Sequence, residues 1–208
     1  MSANGAVETF EIERKYEVSE FACLPAHSEY PALALTANAP ETIELTASYF
    51  DTPDAALGMQ RVAVRRRVGG KDAGWHLKEK GAEGSRELVW PLEGGMPAGL
   101  RQEIVDRIGV AGVDRLVTVA TMHTTRAITM LRDAAGVAVI ELADDRVVAT
   151  NVLTGAQLSW REWEAELAPA AAPTLLDLLE PLLLAAGATR VRGTSKLQRV
   201  LGRASDPA

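Results

Sequence analysis

"FEIERKYEVS" (Phe10–Ser19) has two readings, and the choice between them decides the fold. As a helix it pairs Glu11 with Lys15 four residues apart. The same spacing then sets Glu13 against Glu17, which repel, and the apolar residues share no stripe. As a strand it places Phe10, Ile12, Tyr16 and Val18 on one face and Glu11, Glu13, Lys15 and Glu17 on the other. The strand reading is the consistent one. It raises a question of its own: four charges crowded on one face need something to neutralise them.

The alternation recurs along the chain. "RVAVRRRV" (61–68) and "WHLKEK" (75–80) flank the glycine-rich "GGKDAG", the mark of a hairpin. "RELVWPL" (86–92), "VTVATMHTTRAITML" (117–131) and "VAVIELADDRVVA" (137–149) read as further strands. "QLSWREWEAELA" (157–168) fits a strand, or a helix with Trp160, Trp163 and Leu167 on one face. Helices are expected over 97–113, where Leu100, Ile104 and Ile108 recur every four residues, and over 172–187, with a kink or break at Pro181. A short helix in "GTSKLQRVLGR" (193–203) would be capped by Thr194 or Ser195. Seven or eight mostly antiparallel strands, peripheral helices and no βαβ alternation make an α+β, mainly β fold in one domain.

Composition narrows the role. The 208 residues suffice for a full core, and 47% hydrophobic with 24% charged residues is globular usage. A net charge of −6 disfavours a general nucleic-acid binder. With Cys23 as the single cysteine, no internal disulfide forms and a reducing compartment fits. The opening residues lack the basic and apolar regions of a signal peptide. The most apolar tract, "LLDLLEPLLLAAG" (175–187), is interrupted by Asp177, Glu180 and Pro181 and is too short to span a bilayer. A cytoplasmic protein with neither nucleic acid nor membrane as partner is expected.

Each strand carries its charges on one face. Glu11, Glu13 and Lys15 are followed by Arg65 and Arg67, then His76, Lys78 and Lys80, then Arg126, then Glu141 and Asp145 four apart, then Glu162, Glu164 and Glu166. A single charged strand face usually means water. Here the opposite faces are apolar, so the charged faces fall on the same side of whatever sheet forms, and acidic and basic strands are segregated rather than mixed. Such a surface suits a ligand carrying both signs: a polyphosphate with divalent metal. Arginine and lysine donate charge-assisted hydrogen bonds to phosphate, and carboxylates are hard ligands for Mg²⁺ or Mn²⁺. Other chemistries find little support. "GGKDAGWH" lacks the spacing of a phosphate loop, and His27, His76 and His123 are scattered. Cys23, in "FACLP", has no basic neighbour in sequence. Arg14 and Arg66 point outward as surface ion-pair partners.

At this point the pattern resembles the CYTH family, also called triphosphate tunnel metalloenzymes, over roughly residues 8–202. Glu11, Glu13 and Lys15 match its ExExK motif. "SYFDTPD" (48–54), "VRRR" (64–67), "HLKEK" (76–80), "TTRAI" (124–128), "IELADDRV" (140–147), "EWEAEL" (162–167) and "TSKLQR" (194–199) follow in the family's order, with Leu197 where an aromatic is frequent. The resemblance implies an eight-stranded antiparallel closed barrel around a hydrophilic tunnel, with a C-terminal plug helix, and makes 160–167 a strand. It implies a domain over 8–202 between flexible termini, 1–7 and 203–208. Glu17 and His76 are expected at the mouth of the implied tunnel, without touching ligand. By the same resemblance Lys15, Arg65, Arg67, Lys78, Lys80, Arg126 and Lys196 hold a triphosphate. Glu11, Glu13, Glu141, Asp145, Glu162, Glu164 and Glu166 hold Mg²⁺ or Mn²⁺, two ions, and Glu13, Lys80, Arg126 and Lys196 act in catalysis. The implied activity is hydrolysis of inorganic triphosphate in a monomer or homodimer. Cyclisation of ATP, hydrolysis of thiamine triphosphate and non-catalytic polyphosphate binding are the alternatives.

Overall fold

The computed structural model describes residues 5–202. Of the termini expected to be flexible, 1–7 and 203–208, residues 1–4 and 203–208 lie outside them; of the rest, Ala6 is buried and Val7 begins a strand. In chain order the strands are β1 (Val7–Glu11), β2 (Glu13–Glu17), β3 (Thr36–Ala37), β4 (Glu41–Asp51), β5 (Val62–Val68), β6 (Gly74–Lys80), β7 (Ser85–Pro91), β8 (Val117–Arg132), β9 (Ala138–Asn151), β10 (Gln157–Leu167) and β11 (Thr189–Val191). The helices are α1 (Ala98–Val113), α2 (Thr174–Ala185) and α3 (Lys196–Val200). One antiparallel sheet runs in the order β1-β7-β6-β5-β4-β8-β9-β10-β2-β11, with β3 beside β8.

The architecture is mainly β and antiparallel, as expected, but it departs from the eight-stranded closed barrel. Among the described residues the sheet has eleven strands and is not closed by hydrogen bonds. The reason lies in the opening stretch. Its first half pairs with β7 and its second half with β10, at opposite sides of the sheet, and only Ile12 separates them. The covalent chain crosses where the ladder breaks, so one expected strand becomes two. Short strands at 36–37 and 189–191 add to the count.

Two apolar cores flank the sheet, and each is explained by period-two alternation. Val62, Val64, Trp75, Leu77, Leu88 and Trp90 pack with Leu100 and Ile104 of α1. Tyr16, Ile140, Leu142, Trp163 and Ala165 pack with Leu176, Leu179 and Leu183 of α2. Trp163 is fully buried there, which settles 157–167 as a strand rather than a helix. Burial of each large apolar side chain contributes roughly 1.5–3 kcal/mol. That is why α2 continues through Pro181 instead of breaking: Leu179 and Leu183 on either side are anchored in the core. α1, by contrast, is interrupted at Gly109, whose φ of 73° only glycine adopts readily. Arg14 points outward and bonds Asp177 and Glu180, tying β2 to α2.

A third cluster sits elsewhere. Leu197 and Val200 of α3 pack against Ala47, Tyr49, Met122 and Trp160, so the expected plug helix is an apolar stopper. Ser195 caps it in a reciprocal capping box with Gln198. Asp51, from "SYFDTPD", is buried and accepts from the backbone N–H groups of Thr52, Leu57 and Gly58, shaping the turn after β4. β4 itself has no counterpart among the expected elements, although Leu45, Ala47 and Tyr49 alternate inward along it. Among the described residues no helix is long and apolar enough to cross a membrane.

Candidate functional site

The charged faces converge on one cavity of about 780 Å³. Its walls include Glu11, Glu13, Lys15, Arg65, Arg67, Lys78, Lys80, Arg126, Glu141, Asp145, Glu164, Glu166 and Lys196. The thirteen come from β1, β2, β5, β6, β8, β9, β10 and α3, and strand register brings them together. Of the expected site residues only Glu162 lies off this wall. It borders a smaller cavity of about 180 Å³ with Lys15, Glu17 and Arg199.

Across β2, β10 and β9 the register makes two unlike groups of acids. In the first, Glu166 lies directly opposite both Glu13 and Glu141, giving three carboxylates in a row. In the second, Glu162 faces Asp145, which faces Arg126 on β8, while Glu164 faces Lys15. Asp145, Glu162 and Glu164 bring ligand oxygens within 4.8 Å of one another.

The second group is filled by the chain's own cations. Arg126 donates a two-pronged bond to Asp145, at 2.7 Å through both Nε and Nη2, and reaches Glu164 at 2.6 Å. The Lys196 ammonium stands 2.7 Å from Glu164 and 3.0 Å from Asp145 and also pairs with Glu162. Lys15 pairs with Glu164. Burial alone would push these carboxyls up. The surrounding ammonium and guanidinium groups outweigh it and hold Glu164 and Asp145 below the usual carboxylate range.

In the first row the cations are unevenly shared: Glu13 and Glu141 carry lysines, Lys71 standing 2.9 Å from Glu141, and Glu166 between them carries none. Burial pushes Glu13 up, but Lys15 at 3.2 Å and Lys78 at 2.9 Å hold it at about 2. The Glu166 carboxylate has neither a hydrogen bond nor an ion pair among the described residues. Burial, with Glu13, Glu164 and Glu141 nearby, pushes it up to about 7. Glu11 is pushed up to about 8 by burial and by Glu87, although Lys78 donates to it at 2.6 Å. Like charges directly opposite on neighbouring strands destabilise a sheet unless something lies between them.

The facing wall is basic. Arg65 donates to Glu87 at 3.2 Å, and Arg67 pairs with Asp72. The buried Nε atoms of both arginines have no hydrogen-bond partner. Burial and the neighbouring Arg65 and Arg126 lower Arg67 to about 9. Lys80 donates to the carbonyl of Gly193 at 2.6 Å, holding the segment before α3.

Two buried groups have no place in the expected site. Glu87 faces the cavity side of β7 between outward Arg86 and Leu88, and only 4% of it is exposed. Period two in "RELVW" carries that signal. His76 is wholly buried rather than at the tunnel mouth; Nε2 donates to the Asp72 carbonyl at 2.9 Å, and Nδ1 lies 3.1 Å from Glu87. Glu17 is peripheral, paired with Arg199 at 2.8 Å.

Fold and site together define a class: antiparallel β-proteins wrapped around a cavity with opposed acidic and basic walls. Within that class the chain belongs to the CYTH family, whose domain matches residues 9–201. Two uncharacterised proteins of Mycobacterium tuberculosis, from strains CDC 1551 / Oshkosh and ATCC 25618 / H37Rv, are each 37% identical to it over 210 residues. The match covers 94% of this chain, which spans 40% of the length of those curated relatives. Among solved structures, a putative adenylate cyclase from Bacillus halodurans aligns with a TM-score of 0.60 at 18% identity, over 92% of this chain and 97% of that one. A putative adenylyl cyclase from Hippeastrum, described as having a dominant triphosphatase activity, aligns at 0.55 and 20% identity, over 94% and 97%. At these identities the likeness is one of fold.

Proposed function

We propose that the cavity binds a triphosphate together with Mg²⁺ or Mn²⁺ and that the protein hydrolyses it, inorganic tripolyphosphate being the simplest substrate. The observation that carries this reading is the pairing of two deficits in one cavity. Glu166, a buried carboxylate with no cation on it at the centre of a row of three acids, shares it with arginines whose Nε donors are unspent. A metal–polyphosphate complex supplies both missing charges.

The all-oxygen donor set of Glu13, Glu141 and Glu166 fits a hard divalent cation, and these residues would hold the first ion. Asp145, Glu162 and Glu164 would hold a second only when Lys196 turns from them toward phosphate. Bound metal would supply Lewis-acid polarisation and a more acidic water. Arg65 and Arg67 present planar guanidinium groups to the phosphate oxygens, and Lys15, Lys78 and Lys80 add point charges; Arg126 and Lys196 would join them on turning from Asp145 and Glu164, so that developing negative charge is met by fixed donors. Lys15 and Lys78 hold Glu13 ionised in the metal-free protein, the form in which a carboxylate ligates a cation.

An organic triphosphate has one observation of its own: the cavity of about 780 Å³ also has an apolar wall of Tyr49, Met122, Leu197 and Leu201. The triphosphatase activity described for the Hippeastrum protein supports hydrolysis ahead of cyclisation. The test is phosphate release from tripolyphosphate, thiamine triphosphate and ATP with Mg²⁺ or Mn²⁺, with chromatography for cyclic AMP. Metal-dependent phosphate release is expected, and Glu13→Gln should cut it on the order of a hundredfold or more without unfolding the protein. Binding of polyphosphate with no turnover of any of the three would leave a non-catalytic module instead.

A further inference from the structure

The turn between β5 and β6 enters the cavity with two charges of opposite sign. Lys71 and Asp72 both line it. The Lys71 ammonium reaches Glu141, on β9, at 2.9 Å. The Asp72 carboxylate pairs with Arg67. Neither contact is needed to form the hairpin, which is already fixed by its ladder and by glycine. Gly69 has φ +89°, and a Cβ there would lie 2.1 Å from the Glu44 carbonyl oxygen. His76 holds the turn through the Asp72 backbone, leaving that side chain's carboxylate to choose its partner.

Resting on the polyphosphate–metal reading of the cavity, we infer that Lys71 and Asp72 form a charge-selective gate, with Asp72 standing where a phosphate would bind Arg67 and Lys71 where a cation would bind Glu141. The two partners differ in how firmly they are held. Arg67 is 6% exposed and its Nε remains unspent, so it demands an anion. The side chains of Asp72 and Lys71 are 48% and 76% exposed, so water can take either when it leaves. Each pair joins an exposed side chain to a largely buried one, so the exposed partner loses little to water when a multiply charged ligand displaces it. An isolated anion of low charge competes poorly with a tethered carboxylate, and a metal alone must evict a tethered ammonium. A metal-bound triphosphate does both at once. The turn thereby selects ligands by total charge and would release when both latches are replaced.

Calorimetry on the full chain separates the two latches. With metal chelated, Asp72→Asn should bind tripolyphosphate and diphosphate more tightly than wild type. The larger gain, about tenfold, should be for diphosphate, so that the preference for three phosphates narrows. With Mn²⁺ alone, Lys71→Met should tighten Mn²⁺ binding severalfold. Amide exchange across residues 69–74 should rise on adding tripolyphosphate with Mn²⁺, and rise less with either alone. Both variants alter exposed side chains, and equal melting curves confirm that they fold. Wild-type binding with unchanged affinities in both variants, or exchange at 69–74 that does not rise with both ligands, overturns the gate. Wild-type protein that binds neither tripolyphosphate nor Mn²⁺ overturns the reading of the cavity itself.

Discussion

Two groups of carboxylates lie a few residues apart on the same strands and behave in opposite ways. Asp145, Glu162 and Glu164 look most like a metal site by oxygen spacing, yet Lys196, Arg126 and Lys15 already neutralise them. Glu13, Glu166 and Glu141 are set out in a row by register, and the middle one has no cation on it. Clustered acids therefore do not by themselves mark where a metal belongs. What matters is the charge left over after the chain's own lysines and arginines have been assigned.

The sharpest way to break this comparison is to remove one acid from each group. Glu164→Gln should destabilise the metal-free protein by about 3 kcal/mol, because three buried cations lose a shared partner. Above about pH 7, where Glu166 ionises, Glu166→Gln should do the reverse, stabilising the metal-free protein by about 1 kcal/mol as cross-strand repulsion is relieved, while shrinking the gain in melting temperature from Mn²⁺. Equal shifts of the same sign in the two variants would erase the distinction between the groups.

A smaller effect follows from pH. Glu11 and Glu166 hold their protons up to about 8 and about 7, against an ordinary 4.5, so the folded state binds protons more tightly than the unfolded one. That contribution is complete below 4.5 and is lost as pH rises through 7 and 8. His76, pressed down to about 4 by burial, acts in the opposite sense, but only below its ordinary 6.5. Between 6.5 and 8 the two carboxyls act alone, so the metal-free protein should melt at steadily lower temperature across that interval. Glu166→Gln should remove the lower part of the decline, and Mn²⁺ should flatten it. A level melting profile for the metal-free wild type would show that these carboxyls are already ionised.

Much of this was legible in the residues. Alternation in "FEIERKYEV" and "EWEAEL" put acids on one face and core residues on the other, because side chains in a strand must alternate and Tyr16, Trp163 and Leu167 cannot face water. Glu87 obeys the same rule, but it is the only acid on its strand face and lacks the repeated sign that marks the other charged strands. The break at Ile12 could not be read either. Nothing local distinguishes a strand with one neighbour throughout from a strand that changes neighbours halfway.

By itself, then, the sequence determined the sign and the side of each charge, through period two and the need to bury the opposite face. Which charges meet was decided only by the tertiary structure. Register across β2, β10 and β9 lines up Glu13, Glu166 and Glu141, while the placing of α3 brings Lys196 to the other acids. Those pairings join residues as far apart as 13 and 166, and local spacing holds no information over such separations.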